Sequence, residues 1–152
     1  MVDQVLHGDS ANWPVTVRSR WLQGGPVGDK YGKVWEFYVS RTFEWRDWLV
    51  VGRGIKLRER GATLTDVDLL VVRNNLLLVI QVKALIGYGT DPYEQWKSRN
   101  IISLGARQAN TAARFLRDNT KSITGICGAL LAREISDVQP LVVTNVNILT
   151  GG

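Results

Sequence analysis

The chain has 152 residues, 45% of them apolar and 22% charged, the balance of an ordinary globular domain. That length and balance exclude collagen-like, coiled-coil and disordered chains, and no apolar run reaches the ~18–20 residues that span a bilayer. One cysteine (Cys127) and one histidine (His7) leave no material for an internal disulfide, a multi-cysteine zinc site or a histidine-rich metal cluster, while 19 Lys+Arg against 14 Asp+Glu give a net charge of +5 that suits a polyanionic partner.

Residues 1–28 are punctuated by Pro14, Gly24, Gly25, Pro26 and Gly28 and read as an N-terminal arm, with Trp13 and Trp21 available to pin it to the body. The opening segment lacks the basic and apolar regions of a secretory signal peptide, so a cytoplasmic location is expected. Asp29 suits a helix N-cap, and a helix is predicted over 30–46, where Val34, Phe37, Tyr38, Arg41 and Trp45 form an imperfect stripe at spacings of three and four. A strand over 48–57 follows, interrupted by Gly52 and Gly54, and residues 58–62 turn the chain. The strongest strand signals are the Leu/Val/Ile-rich runs 65–72 and 76–85, separated by Asn74-Asn75, a pair suited to a two-residue hairpin turn. Residues 87–91 read as a loop, 92–98 as a helical onset, and 103–117 as a clearer helix with Leu104, Ala109, Ala112, Ala113 and Leu116 on its apolar side. A further short helix over 126–135 and a last strand over 141–149 complete the order helix, three strands, helix, strand, which predicts an α/β fold: a central sheet flanked by helices. Trp35, Trp45 and Trp48 are expected in the core, and Cys127 as a small buried apolar residue. Trp96 and Tyr93, in contrast, stand where they could touch a ligand.

A turn on Asn74-Asn75 sets Arg73 opposite Leu76 and Val72 opposite Leu77. Carried outward, the same register sets Asp68 opposite Gln81 and Asp66 opposite Lys83. Four polar side chains then gather at the end of the hairpin remote from the turn, inside otherwise apolar strands. A carboxylate in such a place is costly unless it is paired or bound to a cation. Two readings are open: a structural cluster, with Asp66 paired to Lys83 and Gln81 bonded to Asp68, or a site where Asp68 ligates a hard divalent cation such as Mg²⁺.

Asp68 followed thirteen positions later by Gln81-Val82-Lys83 resembles the PD-(D/E)xK motif of restriction-endonuclease-like nucleases, and the QxK variant resembles the Mrr-like branch. The resemblance spans roughly residues 30–149 and implies an αβββαβ core with a mixed central sheet, the nuclease-like domain covering 29–152 after the arm. It implies Mg²⁺-dependent hydrolysis of DNA phosphodiester bonds, with Mn²⁺ as substitute and 5′-phosphate ends as products. Asp68, the Gln81 side-chain oxygen, the Val82 backbone carbonyl and Glu36 would hold the metal, and Asp68, Gln81, Lys83 and Glu36 form the expected catalytic set. Glu36, on the helix before the sheet, stands where the family often carries a glutamate. Gln108, on the helix after the motif, stands where it often carries a polar residue. Val67 replaces the proline of the motif, and Gln81 cannot ionise, so one negative charge is missing from the metal site unless Glu36 restores it.

A backbone-reading surface is expected from Arg53, Lys56, Arg58, Lys97, Arg99, Arg107, Gln108 and Arg114, since phosphate contacts give salt-sensitive, sequence-independent affinity. No zinc finger or recognition helix offers base readout, and Gly87 and Gly89 come without the lysine and serine of a phosphate loop. The expected partner is nucleic acid, DNA first, with no membrane, and a homodimer or a larger nuclease assembly is compatible with the family. The competing expectations are a catalytically inactive nucleic-acid-binding module and a structural subunit on the same fold.

Overall fold

The structure, a computed structural model, describes residues 26–85 and 92–145. The arm up to residue 25, the loop 86–91 and the end of the chain from 146 lie outside them, and with them the readings made of His7, Trp13, Trp21 and the glycine-flanked Tyr88. Helix α1 (Pro26–Trp45) leads into strands β1 (Leu49–Glu59), β2 (Ala62–Arg73) and β3 (Leu76–Lys83). Helices α2 (Pro92–Asp118), α3 (Thr120–Cys127) and α4 (Ala129–Glu134) then lead to strand β4 (Asp137–Thr144). The four strands lie in the order β1-β2-β3-β4. Neighbours are antiparallel except for β3 and β4, which run parallel after the helical crossover. The chain is thus an α/β fold with a mixed sheet between two helical layers.

Local chemistry explains the boundaries. Pro26 opens α1, where its missing N–H costs nothing, so residues 26–28 belong to the helix and not to the arm. Asp29 lies inside the first turn, not at the N-cap, and complements the helix dipole there. The helix ends in a Schellman arrangement. Asp47 takes φ 60°, Trp48 N–H donates to Phe43 O at 3.1 Å, and Asp47 N–H donates to Glu44 O at 3.1 Å. Arg60 (φ 51°) and Gly61 (φ 85°) form the tight turn between β1 and β2, and Asn74 (φ 54°) turns β2 into β3. The break in the strand signal at Gly52 is a bulge inside one continuous β1, where the register to β2 shifts between Val50 and Gly52. The two helical signals of 92–98 and 103–117 fuse into one 27-residue helix. The stretch 126–135 divides at Gly128 (φ 83°) into α3 and α4. Strand β4 begins earlier than expected because Asn75 in the hairpin turn seizes it: Ser136 N–H and Asp137 N–H donate to Asn75 O at 2.9 and 3.1 Å.

The core has two halves. Val67, Leu70, Val72, Leu77 and Val79 pack with Ala112, Ala113 and Leu116 of α2, Ile123 of α3 and Ala132 of α4, and Cys127 borders this group. Leu69, Val71, Ile80 and Val82 pack beneath Val39 of α1, with Trp35, Phe43 and Trp48 around them. Leu104 faces outward, 48% exposed, because it falls off the small-residue face of α2 that meets the sheet. The apolar stripe read on α1 also faces solvent: Phe37 is 62% and Trp45 73% exposed. Trp35, Val39 and Phe43 are the residues that pack. No helix among the described residues is long and apolar enough to cross a membrane.

Candidate cation site at the open end of the sheet

The hairpin register is the expected one from Arg73↔Leu76 to Leu69↔Ile80. There the regular ladder stops. Alternation slips at Asp68: Val67 packs on the α2 side with Leu70 and Val72, whereas Leu69 and Val71 pack under α1. Side chains take over the bonding across the parted strands. Asp68 Oδ2 accepts the Val82 N–H at 2.8 Å, and Gln81 Nε2 donates to the backbone carbonyl of Asp66. Asp68 is left half-buried, its carboxylate aimed by a backbone donor.

Asp68 lines a cleft of about 230 Å³ together with Lys33, Glu36, Phe37, Ser40, Arg53 and Leu69. Glu36 reaches it from α1 and is half-buried. Burial raises the Glu36 carboxyl above its ordinary value, the neighbouring Asp68 charge raises it further, and Lys33 and Lys83 pull it partly back. Tyr31, earlier in α1, is tied to the segment after β3 by Asn145, which donates to Tyr31 Oη at 3.0 Å and grips Leu85 through N–H···Oδ1 (2.7 Å) and Nδ2–H···O (3.1 Å) bonds.

Gln81 and Lys83 do not line this cleft. By strand alternation they belong to the α2 side, where the Lys83 stem lies against Gly105: a Cβ there would stand 3.0 Å from Lys83 Cε and 3.2 Å from its Cγ. Lys83 Nζ donates to Gln81 Oε1 at 3.2 Å. Gln81, only 1% exposed, therefore has both ends of its amide engaged. The oxygen expected to ligate a metal faces the lysine ammonium. A glutamate at this position could not donate to the Asp66 carbonyl, which gives the amide a physical reason. The expected Asp66–Lys83 pair does not form: Asp66 is exposed, lies across from Lys56 of β1 and makes no ion pair among the described residues. No group of three or more His, Cys, Asp or Glu side chains among the described residues is placed to hold a metal ion, so the acidic donors of the cleft are Asp68 and Glu36.

The expected backbone-reading residues divide. Arg53 sits at the rim of the cleft, donating through Nε to the buried Ser40 hydroxyl at 2.8 Å and pairing with Glu44, so it ties β1 to α1. Lys56 and Arg58 are exposed on β1, and Arg99, Arg107 and Arg114 are exposed on α2, about seven or eight residues apart and hence on one side of that helix. Lys97 is half-buried. Gln108 is half-buried, and its amide oxygen is buried without a hydrogen-bond partner. Lys33 and Ser40 are not among the sequence candidates, although their spacing of three and four residues from Glu36 is the helical signal that places them on its face, and Phe37, read there as part of an apolar stripe, also lines the cleft. Trp96 and Tyr93 are exposed and stacked, ring centroids 6.0 Å apart.

The chain matches no protein-family model, and no curated protein matches it.

Proposed function

We propose that the chain is a Mg²⁺-dependent endonuclease acting on DNA in the cytoplasm, built on a restriction-endonuclease-like core of the PD-(D/E)xK type. The observation that carries this reading is the meeting of two carboxylates, Asp68 and Glu36, in one cleft of a basic chain, with Lys33 and Arg53 at its rim and Lys83 near enough to act on Glu36. A carboxylate whose affinity for protons is raised by burial and by a neighbouring carboxylate is placed for a cation, which would relieve the repulsion. The element order, with β4 parallel to β3 behind the crossover, supports the same core.

Asp68 and Glu36 fit Mg²⁺, which commonly takes one or two protein carboxylates and completes its shell with waters and substrate phosphates. Mn²⁺ would serve in its place. Bound there, the cation supplies Lewis-acid polarisation of the phosphate and a more acidic water. Asp68 is held in direction by the Val82 N–H and keeps its second oxygen for the cleft. Glu36 provides the negative charge that Gln81 lacks. Lys83, held by Gln81 on the α2 side of the sheet, acts on the cleft through its charge, which draws the Glu36 carboxyl down. Lys33 and Arg53 hold the backbone at the entrance.

The test is nicking of supercoiled plasmid by the whole chain with Mg²⁺, Mn²⁺ or EDTA. Metal-dependent nicking is expected, reduced about a hundredfold or more by Asp68→Ala and by Lys83→Ala. A second reading, a nucleic-acid-binding module without cleavage, is favoured by the engagement of Gln81 at both ends of its amide. Salt-sensitive binding without nicking in either metal would decide for it.

A further inference from the structure

The outward face of α1 is unusual for a surface helix. Val34 (48% exposed), Phe37 (62%), Tyr38 (57%) and Trp45 (73%) stand in solvent, although such side chains normally cover a core. At about 100° per residue they share an arc with Lys30, Lys33 and Arg41, all exposed. Arg41 lies over the Trp45 ring, 5.9 Å from its centroid, and Phe37 meets Tyr38 edge to face at 6.1 Å. The acid on this side, Glu44, is engaged by Arg41 and Arg53. The arc also leads into the cleft, because Lys33 and Phe37 line it beside Glu36 and Asp68.

We infer that this face is a stacking platform for the bases of an unpaired nucleic-acid strand, which it guides toward the Asp68–Glu36 cleft. The inference rests on the reading of that cleft as a phosphodiester-cleaving site and names the substrate class: DNA with a single-stranded segment. Aromatic rings interleaved with cations are what a single strand needs, one set for base faces and the other for phosphates. In a duplex the base faces are covered by their neighbours, so the rings would have nothing to stack on. A second copy of this chain fits less well. A two-fold interface sets the same patch against itself, and would crowd two copies of Lys30, Lys33 and Arg41 into one interface. From Phe37 to Trp45 the helix rises about 12 Å, long enough for more than one base.

Fluorescence anisotropy of labelled single-stranded and duplex oligonucleotides of equal length, measured in EDTA, tests the inference. Tyr38→Ala and Trp45→Ala are each expected to weaken single-strand binding by about tenfold and duplex binding by less than about twofold. Leu130→Ala, at an exposed leucine of α4, should change neither. Unchanged single-strand binding in both variants, or an equal loss on both oligonucleotides, overturns the platform. So does a wild-type dimer that Trp45→Ala turns into a monomer in sedimentation. Plasmid nicking keeps the two ideas apart: nicking that persists beside unchanged binding sinks the platform alone, and selective binding loss beside absent nicking sinks the nuclease reading alone.

Discussion

Gln81 and Glu36 show how single side chains divide the labour of the site. Gln81 holds the Asp66 carbonyl with its donor and Lys83 with its acceptor, so it braces the parted strands. Glu36 carries the charge instead, and burial beside Asp68 makes that charge costly. Because its folded carboxyl is raised, native Glu36 binds its proton more tightly than the unfolded chain does. Its contribution to stability is therefore greatest below the ordinary glutamate range and is lost as pH rises through the raised value. Glu36→Gln should raise the melting temperature at pH 7, and the gain should vanish near pH 4. Mg²⁺ should stabilise the wild type at pH 7 and the variant much less, since a ligand stabilises only the state that binds it. A variant that melts at or below the wild-type temperature at pH 7 refutes the repulsion.

At the scale of elements, α2 positions the site through a missing side chain. Gly105 lets the Lys83 stem lie against the helix, with Val142 Cγ1 also 3.5 Å from where a Cβ would stand. Gly105→Ala should leave the fold intact, since alanine gains about 1 kcal/mol of helix propensity over glycine. The methyl must still push the lysine stem by a few tenths of an ångström. Nicking is expected to fall severalfold with little change in thermal stability, because a displaced Lys83 ammonium changes the charge that Glu36 feels. Full activity with an unchanged melting temperature would separate Lys83 from the chemistry. The hairpin was legible in the residues because two apolar runs meet at an Asn-Asn turn, and a two-residue loop there sets the register as far as Leu69↔Ile80. The packed side of α1 was not. That helix carries two sets with helical spacing, Val34-Phe37-Tyr38-Arg41-Trp45 and Trp35-Val39-Phe43, and only docking on the sheet chose the second.

For the whole molecule, the net charge of +5 becomes a surface whose parts differ in reach. Arg107 and Arg114 extend from α2, away from the Glu44 pair that restrains Arg53. Each phosphate contact contributes about 0.9 to the slope of log affinity against log salt for duplex DNA. The double variant Arg107→Ala/Arg114→Ala should weaken binding across all sequences and lower that slope by about 2. An unchanged slope would place the phosphate track elsewhere.

The order of the elements, the turn at Asn74-Asn75 and the candidates Asp68 and Lys83 could be read from the chain alone, because periodicity, turn chemistry and charge are local properties, whereas Glu36 came only from the resemblance. The slip at Asp68, the engagement of Gln81 and the aromatic face left in solvent were decided only by tertiary structure. Each depends on which strand parts from which neighbour and which helical face reaches the sheet first, and those are choices between contacts distant in sequence.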